Sequence, residues 1–232
     1  MATAHQPTSP PVHHPAVGGR LQQGLLACGL ISSLLWPISS EVLAALLYQG
    51  YDSVSQTVSE LSSLGAPTRP LMLVEGALYS ALLVAFGLGV WRAAIDNRTQ
   101  RTTGALLLAY GAVGPLWYPF PVTARANITP GETFALTDVM HIVLGAVDTI
   151  LILSILGFGA AALGKRFRIY TLLTVAVVVG FGALTFASVG QIAAGDPTPW
   201  LGVIERTYLG AFLLWVAVLS VTLLRSVPSE HT

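Results

Sequence analysis

The chain has 232 residues, of which 53% are hydrophobic and only 9% are charged, and its formal net charge is zero. Soluble domains carry about 25% charged residues, so this composition excludes an ordinary globular protein. The balanced charge gives no sign of nucleic-acid binding, and we predict no nucleic-acid partner.

The first 20 residues are polar and rich in proline and histidine, which is typical of a disordered tail. We therefore predict a disordered cytoplasmic tail over 1–20, one transmembrane domain over 21–226 and a short cytoplasmic tail over 227–232. Histidines in the first tail are potential metal ligands, but a solvated tail is the simpler interpretation. These histidines are His5, His13 and His14.

Six long apolar runs follow the tail, and each is close to the roughly 20 residues with which a helix spans a bilayer. The pattern predicts an all-α, polytopic membrane protein, a bundle of six transmembrane helices whose first partner is the lipid bilayer. The runs lie near residues 24–48, 70–95, 102–121, 135–162, 168–193 and 199–225.

Basic residues favour one side of the predicted bundle. Eight of the eleven Lys and Arg residues lie at the two chain ends and in the second and fourth connections, whereas Arg69, Arg125 and Arg206 lie toward the other side. Under the positive-inside rule both termini are cytoplasmic, and the loops 49–69, 122–134 and 194–198 face outward.

Acidic residues inside the apolar runs are the strongest functional signal. A carboxylate at membrane depth costs a few kcal/mol by insertion scales, so it usually faces a partner, a cavity or a substrate. Four of the five share the outer third of the membrane, and the fifth, Asp148, is deeper. They are Glu41, Glu75, Asp138, Asp148 and Glu205.

Helix 4 places several polar residues on one face. At about 100° per residue, Asp138, His141 and Asp148 fall within roughly an 80° arc, and Gly145 leaves room on the same face. This stripe could serve as a proton relay or as half of a metal site. In the structural alternative, Asp138 or Thr137 caps the helix. His141 then bonds a neighbouring helix, and Asp148 bonds a Ser or Tyr.

Helix 6 carries Glu205 beside Arg206, and adjacent helix residues diverge by about 100°, so the two should have different partners. Arg206 needs an acid, and we expect Glu75 or Asp138. We further hypothesise that six side chains converge on one outer ligand-binding pocket. They are Glu41, Glu75, Asp138, His141, Glu205 and Arg206.

The first outer loop is patterned more like a folded element than a linker. Val58 and Leu61 recur at helical spacing, Thr57 and Glu60 fit a capping box, and Gly65 provides a stop, which predicts a short amphipathic helix over 53–64. It would lie over the outer pocket as a lid or simply join two spans. Three prolines, beginning with Pro115, should break the outer end of helix 3.

The loop sequence YDSVSQTVSELSSLGAPTRP (51–70), with the later Asp138/His141 and Glu205-Arg206 segments, resembles a bacterial and archaeal membrane family. It is catalogued as domain of unknown function 998. The resemblance covers roughly residues 20–225. It implies a six-helix protein of the bacterial or archaeal plasma membrane and supplies no activity. A fainter similarity to alkaline ceramidase-type membrane hydrolases is weakened because His141 is alone among the predicted spans, and those enzymes hold zinc with several histidines.

Three classes of function fit these features. The first is a protein that binds or transports a lipid or small solute in an outer polar pocket. The second is a structural or accessory membrane protein whose polar groups pair between helices. The third is a membrane-embedded enzyme acting on lipids, with His141 as acid, base or metal ligand and Asp138 orienting it. The sequence leaves cofactor, metal and catalytic residues undetermined, as well as the ligand and oligomeric state.

Overall fold

The computed structural model describes residues 17–227, and within them the chain is built from six long helices. They are α1 (Val17–Leu47), α2 (Arg69–Ala93), α3 (Arg98–Val113), α4 (Leu136–Ala162), α5 (Lys165–Ala194) and α6 (Leu201–Leu224). This confirms the all-α fold class. Helix α1 begins inside the segment assigned to the first tail. The tail prediction for residues 1–16 and 228–232, including His5, His13 and His14, lies outside the described residues.

Five of the six helices are long and apolar enough to cross a bilayer, so the protein is a multi-pass membrane protein. Helix α3 is the exception, because its 16 residues rise only about 24 Å at 1.5 Å each, short of a hydrocarbon core of about 30 Å. A 3-10 turn, Gly114–Trp117, continues it, and Pro115 within that turn lacks the N–H that α-helix would need. The predicted break is confirmed, and six full spans stay a prediction.

The helices form a closed ring, because each packs against its neighbours in sequence and α6 returns to pack against α1. Near the chain termini, Ser220 Oγ donates to the Leu26 carbonyl at 2.7 Å, and Gln22 Nε2 donates to the Gly89 carbonyl at 2.7 Å. We call this the terminal end. The opposite end carries the loops 48–68, 114–135 and 195–200, and we call it the capped end.

The terminal half of the ring is filled by side chains. Its buried core draws on all six helices, and its largest members, Phe86, Phe212 and Trp215, are at most 1% exposed. Small residues bring the helix backbones together here. A Cβ placed on Gly87 of α2 would lie 2.7 Å from the Leu108 backbone nitrogen of α3, so only glycine permits this approach. Any cavity in the ring must therefore lie toward the capped end.

Residues 48–68, which we call the cap loop, fold back over the ring. Its apolar side chains Val58 and Leu61 are buried against α1 and α2. The predicted short helix is present, but it covers only Ser59–Ser62 as a 3-10 turn instead of 53–64. The physical reason is that residues 53–56 offer their carbonyl groups to arginine side chains and to α6 instead of to helical N–H groups.

Candidate ligand-binding site

A cavity of about 310 Å³ lies inside the ring beneath the cap loop, and all six helices line it. Its walls are mainly apolar, and a few polar groups project from different helices. The cap loop contributes Val58, Ser59 and Ser62 to the lining. A second cavity of about 140 Å³ lies beside the first, and His141 and Glu205 line both. We call the larger one the main cavity.

Asp148 is the deepest carboxylate in the main cavity. It lies 12 residues into α4, which corresponds to about 18 Å of helix. Its Oδ2 accepts a hydrogen bond from Trp117 Nε1 at 3.1 Å. Its Oδ1 is buried and has no hydrogen-bond partner among the described residues. A buried carboxylate oxygen without a partner is unfavourable, so this atom has unused binding capacity.

His141 lies seven residues before Asp148 in α4, about two helical turns nearer to the capped end. Its Nδ1 is 2.8 Å from the Phe120 carbonyl, and because a carbonyl only accepts, Nδ1 carries a proton. Its ring meets Trp117 edge to face, with centroids 4.5 Å apart. In the neutral ring, Nε2 is therefore left as an acceptor. The imidazole is oriented by a backbone group and an indole.

Glu205 fastens the cap loop to α6. Its carboxylate accepts from the Val58 backbone N–H and, at 2.9 Å, from the Ser59 hydroxyl. The side chain is 8% exposed and lines the main cavity from α6. Glu205 therefore joins the cap to the cavity wall.

Arg206 points to a different group of partners. Its Nε lies 2.6 Å from Glu41 Oε1, and another nitrogen donates to the carbonyls of Ser53 and Gln56 at 3.1 and 2.6 Å. Tyr51 completes the group, since its hydroxyl accepts from Arg206 and donates to Glu41 at 2.7 Å. Burial raises the pKa of Tyr51 to about 12, so this hydroxyl remains a donor. The expected partners of Arg206, Glu75 and Asp138, were wrong. The acid is Glu41.

The two other arginines at this end also bind the cap loop. Arg125 forms an ion pair with Glu60 at 2.6 Å and donates to the Ser55 carbonyl at 3.0 Å. Arg69 donates to the carbonyls of Ser62 and, at 3.1 Å, Tyr118. The predicted capping box is confirmed, because Glu60 accepts from the Thr57 N–H at 2.7 Å and Thr57 Oγ1 accepts from the Glu60 N–H at 3.2 Å. The cap loop is thus held by three cations.

Asp138 does not orient His141, as the enzyme hypothesis required. Its carboxylate accepts from the backbone N–H and hydroxyl of Thr123 at 2.6 and 2.7 Å. The i, i+3 spacing puts the two side chains on one face, but the 114–135 loop supplies donors to Asp138 and an acceptor to His141 separately. Asp138 does not cap α4 either, since no side chain caps that helix.

The six side chains expected in one pocket are distributed among three places. Asp138, His141 and Glu205 share the smaller cavity. Glu41 and Arg206 form the ion pair beside the cap loop. Glu75 is buried and accepts from the Ser39 hydroxyl of α1, and none of Glu41, Glu75 and Arg206 is among the described residues that line either cavity. Asp148, expected to be separate and deeper, lines the main cavity.

Aromatic residues within the helices were missed as site residues. Tyr79, Tyr110 and Tyr208 come from α2, α3 and α6 and line the main cavity, and Tyr208 also lies 3.0 Å from the Thr149 hydroxyl. A sequence signal existed, because Tyr in spanning helices concentrates at the membrane interfaces, and these three lie inside apolar runs. Across residues 17–227, no group of three or more His, Cys, Asp or Glu side chains is arranged to hold a metal ion.

The helix ring, the cap loop and the cavity beneath that loop define a multi-pass membrane protein with a mainly apolar internal cavity. The chain belongs to the family described as "Protein of unknown function (DUF998)", whose model matches residues 30–222. The matched segment includes five of the six helices almost whole and all of the cavity lining. Comparisons with curated proteins and with solved structures gave no match.

Proposed function

We propose that this protein binds or transports a lipid or small solute, which occupies the main cavity beneath the cap loop. One observation carries the proposal. A cavity of about 310 Å³ with mainly apolar walls is lined by a few polar groups, among them His141 and Asp148 of α4 and Glu205 of α6. Ligand sites of small molecules have this composition and begin at about this size.

The proposal includes a location and an orientation. The protein resides in a bacterial or archaeal plasma membrane, with both termini cytoplasmic and the cap loop outside. The excess of basic residues at the terminal end supports this orientation. A ligand would then reach the cavity from the outer side or from the outer leaflet.

Two other functions have different support. A structural role is favoured by the pairs Arg206–Glu41 and Arg125–Glu60, which join separate elements. An enzyme using His141 and Asp138 has less support, because Asp138 is bound to Thr123 and His141 to the Phe120 carbonyl. His141 nevertheless lines both cavities and remains the candidate acid or base.

The test is a mass-spectrometric inventory of small molecules and lipids that copurify with the protein. Gly145→Leu should displace the ligand, because Gly145 lines the main cavity between Phe186 and Trp117. Gly157→Leu is the matched control on the same helix, since a Cβ at Gly157 meets nothing within 4 Å. A compound retained by the control and lost from the cavity variant supports binding. If the wild type and both variants retain the same compounds, none of these compounds depends on the cavity. That result would argue against binding and favour the structural role.

A further inference from the structure

Asp148 has no counterion in the part of the chain that the structure describes. The two ion pairs found there, Arg125–Glu60 and Arg206–Glu41, do not involve it. Arg69 also lines the main cavity, but its guanidinium nitrogens donate to the carbonyls of Ser62 and Tyr118. Its Oδ1 also lacks a hydrogen-bond partner, and Asp148 lines the cavity, so this carboxylate can still pair with a positively charged group there.

The second carboxylate of the main cavity is already engaged. Glu205 accepts from the Val58 N–H and the Ser59 hydroxyl, so both of its oxygens hold the cap loop. Its charge nevertheless adds to the negative potential of the lining, and no cation among the described residues is bonded to it. An anionic group would meet two carboxylates on entering, which disfavours phosphate or carboxylate ligands at this depth.

Aromatic side chains line the same cavity. Trp117 connects the Asp148 carboxylate with this aromatic lining. Its indole N–H donates to Asp148 at 3.1 Å, and its ring contacts His141. An aromatic lining next to an unpaired carboxylate is the arrangement by which proteins recognise quaternary and other alkylated ammonium groups. The aromatic side chains of the lining include Trp36, Tyr79, Tyr110, Trp117, Phe186 and Tyr208.

We propose that the main cavity takes an amphipathic organic cation, whose ammonium group lies against Asp148 within the aromatic walls and whose apolar part fills the rest. This inference rests on the proposed function and specifies its ligand class. The apolar remainder of the lining, which includes Leu83, Ile152 and Phe212, matches an alkyl portion. The ammonium group would neutralise the Asp148 carboxylate. Because the ammonium loses its water at the position where it pairs with this carboxylate, neither charge is buried alone.

The experiment compares three probes with one alkyl chain and different headgroups: octyltrimethylammonium, octanol and octanoate. Binding is measured by calorimetry on protein in lipid nanodiscs, with empty nanodiscs subtracted to correct for partitioning. We expect the cation to bind wild-type protein about tenfold or more tighter than octanol, and octanoate to bind more weakly than either. Asp148→Asn should remove the advantage of the cation. Asp196→Asn, an exposed Asp at the capped end, should preserve it.

The outcomes separate the two proposals. If octanol or octanoate binds as tightly as the cation, and Gly145→Leu abolishes that binding while Gly157→Leu does not, the cavity binds ligands but the cationic preference is wrong. If no probe shows binding that depends on Gly145, the proposed cationic ligand class is wrong, and the copurification inventory decides whether the cavity binds another ligand. The headgroup comparison is made on the wild-type chain, so it decides the question even if Asp148→Asn does not fold.

Discussion

Arg206 on α6 and Glu41 on α1 meet at 2.6 Å, across the point where the helix ring closes. The guanidinium also donates to the carbonyls of Ser53 and Gln56, so this one side chain connects α6 with both α1 and the cap loop. Glu41 accepts only part of the hydrogen bonding of Arg206, and backbone carbonyls and the Tyr51 hydroxyl accept the rest. Loss of Arg206 should therefore affect the cap loop as well as the helix pair.

Arg206→Ala should lower the free energy of unfolding by about 2–3 kcal/mol, because hydrogen bonds to charged groups contribute about 1.5–3 kcal/mol and the pair is partly exposed. Thermal unfolding of detergent-purified protein measures the change. Arg206→Lys should recover only part of the loss, since an ammonium cannot reproduce the planar fork. Arg98→Ala is the control, because Arg98 is exposed. An unchanged melting temperature for Arg206→Ala would show that these contacts contribute nothing.

Glu205→Ala should loosen the cap loop while leaving the ring folded. The Val58 N–H and Ser59 hydroxyl lose their acceptor, so local opening becomes easier. Hydrogen exchange followed by mass spectrometry should show faster exchange for a peptide covering 56–64. A peptide from the packed terminal half of α2, around Phe86, serves as the internal control. Equal protection of the loop peptide in both proteins would contradict the role assigned to Glu205.

Gly202 marks the closest approach of the cap loop to α6. A Cβ at this position would overlap the carbonyl oxygens of Ser53 and Gln56, and the Val203 N–H donates to the Val54 carbonyl at 3.1 Å. Gly202→Ala should therefore destabilise the protein by about 1–3 kcal/mol, as overpacking does. Gly210→Ala, on the same helix with open space around it, should be neutral or stabilising by up to about 1 kcal/mol. Equal melting temperatures for the two variants would argue against this contact.

The orientation can be tested by cysteine labelling in intact cells. Cys28 is the one native cysteine, so Cys28→Ala gives a clean background. A membrane-impermeant maleimide should label Leu64→Cys, at a side chain that is 58% exposed in the cap loop. It should label Lys165→Cys, at the terminal end, only after the membrane is broken. The reverse pattern would place the cap loop in the cytoplasm.

The sequence predicted what depends on local pattern. Apolar runs located the helices, Pro115 located the break after α3, and the Thr57–Glu60 spacing identified the capping box. Each of these rests on neighbours a few residues apart, so the pattern contains the whole interaction. The helix in the cap loop is shorter than expected because arginine side chains and α6, distant in sequence, donate hydrogen bonds to the carbonyls of the loop.

The partners of the buried charges could not be predicted in the same way. Charge matching offered Arg206 only carboxylates, yet most of its acceptors are backbone carbonyls, which every residue has and no sequence pattern marks. Likewise Asp138 shares a helix face with His141, but Asp138 accepts hydrogen bonds from Thr123, which the 114–135 loop places beside it. Depth along a helix follows from sequence, whereas the direction a side chain takes around the ring depends on packing of all six helices.

Ring closure also sets an order for biogenesis. Glu41 and Arg206 are 165 residues apart in the chain, and Ser220 and Leu26 are 194 apart, so α1 enters the bilayer long before its final neighbour is synthesised. Helices that insert individually assemble afterwards, and contacts between distant segments form slowly. Until α6 has been synthesised, Glu41 therefore lacks Arg206 as its partner, and the cavity has not formed. A ribosome stalled before α6 would therefore leave a chain that has neither the Glu41–Arg206 ion pair nor the cavity.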